Sequence, residues 1–271
     1  MISTSPGKLK RAVFSFNHES YNPTAMNIAA DLAKRLQLDL LGLFVMDHML
    51  DLAVSYPEAR EFSAPFRDWR LLDAKLLRQQ QDLIAKKIEK QLEIKAKEEK
   101  LRTTFEIASG SFEEVLKGFA SQSDILIFSE PKDPLGQITK SFRKSVDIAM
   151  QLLSSALIIP RSASQKRGPI LVFVTDKDDP SLDVASLIAQ TTEDKIIVVP
   201  LHKEDVISEE VLLAEIQKSD PHLVLHKMSL VVSSRYSSNI KNNELIAEIC
   251  RLINVPLLIH GIEDAQRKPL A

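Results

Sequence analysis

The 271-residue sequence predicts an α/β protein made of two tandem, open, doubly wound sheets, and three observations carry that reading. Short runs rich in Val, Ile, Leu and Phe alternate with segments of helical period along the first 160 residues. Continuous apolar runs mark parallel strands buried on both faces. A polar stretch at 162–168 breaks the pattern, and strand and helix then restart in the same order over a shorter length. Composition agrees: 44% of residues are hydrophobic, 27% are charged and the net charge is −2, which suits two buried cores at roughly 100–200 residues each.

Residues 12–16 read as the first strand, stopped by the polar Asn17 and His18. Asn22 caps a helix over 23–36 with Pro23 at its first position and Ala25, Ile28, Ala29, Leu32 and Leu36 on one face. Residues 40–45 form the second strand, and a strand–helix–strand unit makes a right-handed parallel crossover. The segment 47–67 has little periodicity and contains Pro57 and Pro65, so it reads as a loop. A long helix is expected over about 68–100, with Leu72, Leu76, Leu83, Ile84, Ile88 and Leu92 near helical spacing. Its basic end is balanced by acids such as Glu93 four residues before Lys97, the pattern of a solvated face. Strands at 103–107, 124–129 and 156–159 then alternate with helices at 112–121, capped by Ser111, and about 145–153. After the linker come strands at 169–174 and 195–199, short strands at 223–225 and 230–232, and a last strand at 256–259. Helices fall at 181–190, 208–218 and 243–253 between them. The expected domains are 1–161 and 169–264, with a tail at 265–271.

Several function classes are excluded. No apolar run approaches the roughly 18 residues of a membrane span. Residues 1–10 lack the apolar core of a secretory signal, so a cytoplasmic location is expected. Cys250 is the one cysteine, which rules out an internal disulfide framework, and its neighbours Ile249, Leu252 and Ile253 read as core. His202, His222, His226 and His260 show no metal-ligand spacing. His222 and His226 lie on an expected strand, where four residues span about 13 Å. Seven glycines, against roughly 19 at average usage, form neither a dinucleotide fingerprint nor a Walker A loop. There is no nucleophile elbow and no placeable carboxylate pair, so the chain does not read as an enzyme. A charge near zero gives no general pull toward nucleic acid or membrane.

Three stretches go further: residues 12–36; Gly110 and Ser111 through the strand from Asp124 to Ser129; and Lys144, Ser145 and Val146 through to Pro160. In this order the sequence resembles the universal stress protein family, as a tandem of two domains, with Leu230 to Arg235 and Val255 to Ile259 as the best segments of the second half. The resemblance implies strand order 3-2-1-4-5 in each sheet and a role in stress response. Members that bind ATP carry a glycine signature after the fourth strand: Gly, two residues, Gly, nine residues, then Gly-Ser or Gly-Thr. Here Pro131, Pro134 and Lys144–Ser145 stand at that spacing. Proline has no N–H to offer a phosphate, whereas glycine permits its close approach. The family's first-strand Asp falls on Asn17, which keeps an acceptor and loses the charge. In the second half that position is near Thr175, and the Gly-Ser position falls on Asn243–Glu244, where a carboxylate repels phosphate.

The expectation is therefore a non-catalytic protein with a lost or degenerate ATP site and no cofactor, acting through protein partners or self-association. The alternative is a sensor for ATP or another anionic small molecule in the first domain, held by Asn17, His18, Ser129, Lys144 and Ser145. Family members often dimerise along the edge of the last strand. A tandem chain can make that contact internally, with 156–159 beside 257–260, which covers two edges that would otherwise template aggregation. The same edge or the long helix is a candidate surface for a homodimer.

Overall fold

A computed structural model describes residues 9–16, 22–47, 55–56, 58–63, 67–121, 124–130, 148, 151, 154–164, 167–201, 208–235 and 240–261. The strands are β1 (Arg11–Phe16), β2 (Asp39–Asp47), β3 (Arg60–Ser63), β4 (Asp68–Leu71), β5 (Thr103–Gly110), β6 (Asp124–Ser129), β7 (Ser155–Ile159), β8 (Ile170–Val174), β9 (Ile196–Pro200), β10 (Leu230–Ser234) and β11 (Leu257–His260). The helices are α1 (Pro23–Arg35), α2 (Ala74–Glu99), α3 (Phe112–Phe119), α4 (Pro180–Gln190), α5 (Glu209–Ser219) and α6 (Ile240–Ile253).

Nine strands form one sheet, in the order β5-β2-β1-β6-β7-β11-β10-β8-β9, and this corrects the expectation of two separate sheets of about five strands. Every neighbouring pair is parallel except β7 and β11, which run antiparallel with Leu257 opposite Ile158, Leu258 opposite Leu157 and Ile259 opposite Ala156. That seam is the internal edge pairing expected above. All five residues of β7 are buried, and so are Leu257, Leu258 and Ile259. Left apart, these edges would each expose a row of backbone donors and acceptors.

Residues up to 160 contribute the strand order 3-2-1-4-5, and among the described residues the later part contributes four strands without a counterpart of β5. The expected strand at 223–225 is not formed: residues 223 and 224 are irregular and the chain enters a 3₁₀ turn at Leu225–Lys227. That turn brings the chain back so closely that a Cβ on Gly168 would lie 2.1 Å from the Lys227 carbonyl oxygen. The Ser229 N–H then donates to Pro169 O, which starts β10 beside β8.

The core follows the layers. On one face α1, α2 and α4 cover a single apolar cluster that runs across the seam, from Phe14 and Leu40 through Leu157 and Leu258 to Val184. On the other face the two halves keep separate clusters, one with Leu116 of α3 and one with Leu212 and Ile246 of α5 and α6. An ion pair adds a tie between halves: Arg35 of α1 holds Asp31 at 2.6 Å and reaches Asp194, after α4, at 3.6 Å.

Residues 60–71 correct the expected loop and helix start. β3 and β4 form an antiparallel ribbon outside the main sheet. In β4 the apolar Trp69 and Leu71 alternate with Asp68 and Arg70, a period of two rather than 3.6. The helix begins at Ala74 because the Asp73 side chain accepts from the N–H groups of Lys75 and Leu76. It packs on the core through Ala85, Ile88, Leu92 and Ala96. Gly42 of β2 allows this close approach, since a Cβ there would meet Leu92 Cδ2 at 2.5 Å.

Candidate functional site

Ligands in open α/β sheets bind outside the carboxyl ends of the strands. Of the five expected site residues, only Ser129 is among the described residues, and it is buried at the end of β6. Asn17, His18, Lys144 and Ser145 lie outside them, as do Pro131 and Pro134 and most of the expected helix at 145–153.

What surrounds Ser129 is informative. Glu130, the next residue, is 6% exposed. Its Oε2 accepts from the Arg161 N–H at 2.9 Å, and its Oε1 lies 3.8 Å from an Arg251 guanidinium nitrogen on α6. Asn22 caps α1, accepting from Thr24 N–H and Ala25 N–H at 3.1 and 3.4 Å, and its amide nitrogen reaches the Arg161 carbonyl at 3.5 Å. Ser15 donates to Ile127 O. These polar groups between β1, β6 and β7 fasten the chain's own exit from the sheet. Glu130 thus places a carboxylate at the carboxyl end of β6, with the Arg251 guanidinium beside it.

The second half carries a different constellation that sequence reasoning missed. Asp179 caps α4 from a buried position. Its Oδ1 accepts from the Ser181 N–H at 3.0 Å and from Ser234 Oγ at 3.0 Å, with Ser181 Oγ 2.6 Å away, and its Oδ2 accepts from the Thr175 N–H at 3.1 Å. One carboxylate thus ties the end of β8, the start of α4 and the end of β10 together. Ser233 donates to Asn243 Oδ1 at 3.1 Å. Arg235 follows β10, where burial pushes its guanidinium down to about 10. His260 ends β11, and burial pushes its imidazole down to about 4. The negative charges of Asp179 and Asp183 oppose that shift, and the positive charge of Arg235 adds to it. Ser155 Oγ accepts from the Gly261 N–H at 3.0 Å, which leaves its own proton for His260 Nδ1 at 3.1 Å.

This arrangement anchors backbone; it does not present an attacking group. Ser155 is buried with its hydroxyl engaged, and the Asp179 carboxylate receives several donors at once. Cys250 is buried in the core as expected, and desolvation pushes its thiol up, away from a reactive thiolate. Among the described residues no group of three or more His, Cys, Asp or Glu side chains converges as a metal site, and no helix is long and apolar enough to cross a membrane. A cavity of about 40 Å³ lies where α1 and α4 pass over the seam, between Leu157, Leu230 and the Arg35–Asp31 pair, with room for little beyond water.

The sequence of strands, crossovers and helices can now be set against known proteins. A universal stress protein from Archaeoglobus fulgidus DSM 4304 superposes over 94% of this chain and 97% of its own, with a TM-score of 0.57 at 10% identity. The chain has the universal stress protein fold. A functionally unknown protein from Pseudomonas aeruginosa PAO1 aligns over 93% of this chain and 92% of its own, with a TM-score of 0.47 at 13% identity. The cytoplasmic domain of a prokaryotic cation chloride cotransporter aligns over 95% and 97%, with a TM-score of 0.43 at 12% identity. No protein-family model matches the sequence, and no curated protein matches it.

Proposed function

We propose that this is a non-catalytic protein of the universal stress protein kind, a tandem of domains at 1–161 and 169–264, that acts in stress response through protein contacts with its ATP site lost. The observation that carries the reading is Glu130, a buried carboxylate one residue past Ser129 that is committed to the Arg161 backbone. It opposes a phosphate at the strand end where ATP-binding members hold theirs. Pro131 and Pro134, at the signature spacing, support it from the sequence by removing two donors.

One observation favours a second reading, a sensor for an anionic small molecule. Arg235 occupies in the second half the place Glu130 holds in the first, and its charge attracts what Glu130 repels.

Calorimetric titration of the nucleotide-stripped full chain with Mg-ATP tests both. The first reading expects no heat up to millimolar nucleotide. Binding that disappears in a Lys144→Ala, Ser145→Ala variant overturns it in favour of a first-domain sensor. Binding that survives that variant and disappears in Arg235→Ala moves the ligand to the second half.

A further inference from the structure

The β3–β4 ribbon is amphipathic, and its side chains at Arg60, Phe62 and 68–71 are in solvent. The register pairs Phe62 with Trp69 and Arg60 with Leu71, so these four share one face, while Asp68 and Arg70 lie on the other. All four residues of β4 are exposed. Trp69 is 60% exposed, Phe62 53% and Leu71 62%, and the two rings contact only edge to face at 5.4 Å. Aromatic side chains carry roughly 150–250 Å² each, so the ribbon shows on the order of 300 Å² of apolar side chain. That is the size of the largest apolar patch on a typical monomer, which is often a functional one. A two-stranded ribbon standing alone is also marginal in water.

The hydrogen-bond alternation tells which backbone groups lie on its outer edge. The Leu72 N–H donates to Ala59 O, which makes that pair hydrogen-bonded. Stepping by two, Arg70 with Glu61 and Asp68 with Ser63 are the next bonded pairs. Trp69 and Leu71 therefore turn their own N–H and C=O groups outward along β4. Asp68 Oδ1 accepts the Trp69 N–H at 2.8 Å, and among the described residues no strand pairs with that edge.

We propose that the chain forms a two-fold homodimer in which the outer edges of two β4 strands pair antiparallel about Trp69. With the axis at Trp69, the two Trp69 residues exchange backbone bonds as a hydrogen-bonded pair. Asp68 then stands opposite Arg70 of the second copy, and Arg70 opposite Asp68 of the second copy. The charge pattern is self-complementary, which a two-fold contact requires. The outward residues of β3 give no such match: an axis at Phe62 sets Glu61 opposite Ser63 of the second copy. Pairing exchanges the Asp68–Trp69 bond for a Trp69 carbonyl and frees Asp68 for the opposite guanidinium. Phe62, Trp69 and Leu71 of both copies then form one cross-strand cluster. The proposal stands apart from the nucleotide reading, because the ribbon lies outside the main sheet.

Trp69 is the chain's single tryptophan, so its emission reports on this edge alone. Light scattering and tryptophan emission of the full chain are followed together on dilution. The expected result is twice the 30.4 kDa chain mass, with emission shifting to the red as the mass halves. Asp68→Arg alone, or Arg70→Asp alone, is expected to weaken the dimer ~tenfold or more, since like charges then face each other. The Asp68→Arg, Arg70→Asp double exchange is expected to restore it. The chain's own mass at every concentration overturns the proposal, whatever the emission, since another partner or another segment then covers the patch. A dimer indifferent to the single reversals, or one the double exchange fails to restore, overturns it equally.

Discussion

Glu130 and Arg235 each follow the last residue of an inner strand, β6 and β10, and each donates its backbone N–H to the strand beside it, at Ile159 O and His260 O. Their backbones are equivalent and their charges are opposite. In the first half the carboxylate turns inward to hold the Arg161 N–H, with Asn22 on the Arg161 carbonyl. In the second half a carboxylate also does the fastening, but it is Asp179 that binds Ser181, Ser234 and Thr175, and the residue after the strand is a cation. One scaffold thus carries opposite charges at equivalent strand ends in its two halves. Fold alone does not say which halves bind.

The difference can be sharpened by substitution, starting with the position where the halves are least alike. Aligning Asn17 with Thr175 sets Lys10 against Gly168. Lys10 has a side chain in solvent, whereas a Cβ on Gly168 meets the Lys227 carbonyl at 2.1 Å. Gly168→Ala is expected to destabilise by about 3 kcal/mol or more in urea unfolding, since backbone must move. A loss below about 1 kcal/mol would mean that the 225–229 segment yields easily.

The same alignment sets Arg11 and Asp124 against Pro169 and Ser229. Arg11 grips the fully buried Asp124 through two bonds, Nε to Oδ1 at 3.0 Å and Nη2 to Oδ2 at 2.7 Å, and this contact raises the guanidinium pKa. The second half has only the Ser229 hydroxyl, 2.8 Å from Gly168 O. Arg11→Ala is expected to cost about 2–3 kcal/mol, the lower part of the range for a broken buried pair because Arg11 is partly in solvent. Ser229→Ala should cost about 1 kcal/mol. Equal losses in chemical unfolding would contradict the comparison.

The helix caps differ less. Asn22→Ala is expected to cost about 1 kcal/mol and Asp179→Ala about 2 kcal/mol, because the second also strands the Thr175 N–H and removes the acceptor of the Ser234 bond. Thermal unfolding of the two variants side by side gives the order.

One further effect, visible only as the pH changes, belongs to His260. Its folded pKa of about 4 lies below the ordinary 6.5, so between those values the unfolded chain binds the extra proton. Its contribution is complete above pH 6.5 and is lost as pH falls toward 4, by about 1–2 kcal/mol once its partial exposure is allowed for. A His260→Asn variant should show a shallower fall of Tm over that window than the parent chain. Identical slopes would remove His260 from the account.

Much of the fold was legible because buried parallel strands are continuous apolar runs. The strand 124–129 and the caps Asn22 and Ser111 are legible in place, whereas the cap Asp73 is hidden because Leu72 and Leu76 happen to fit a helical period. The ribbon was missed because four-residue strands give too few alternations to outweigh the prolines around them. The union into one sheet depends on β7 and β11 pairing across about 100 residues, which no local pattern encodes and which was expected only through the family resemblance. At the site, only Ser129 of the five expected residues can be placed. Glu130 and Arg235 escaped because a charge just past a strand looks like an ordinary loop residue. The available signal was their shared place, one residue beyond Ser129 and Ser234 in segments already matched to each other.

The most direct test of the central claim is residue by residue: Mg-ATP titrated into the isotopically labelled full chain while backbone amide resonances are followed. The account predicts no saturable shift at Ser129, Glu130 and Arg161. Saturable shifts at those three amides would contradict it and return the first half to the nucleotide-binding members of the fold.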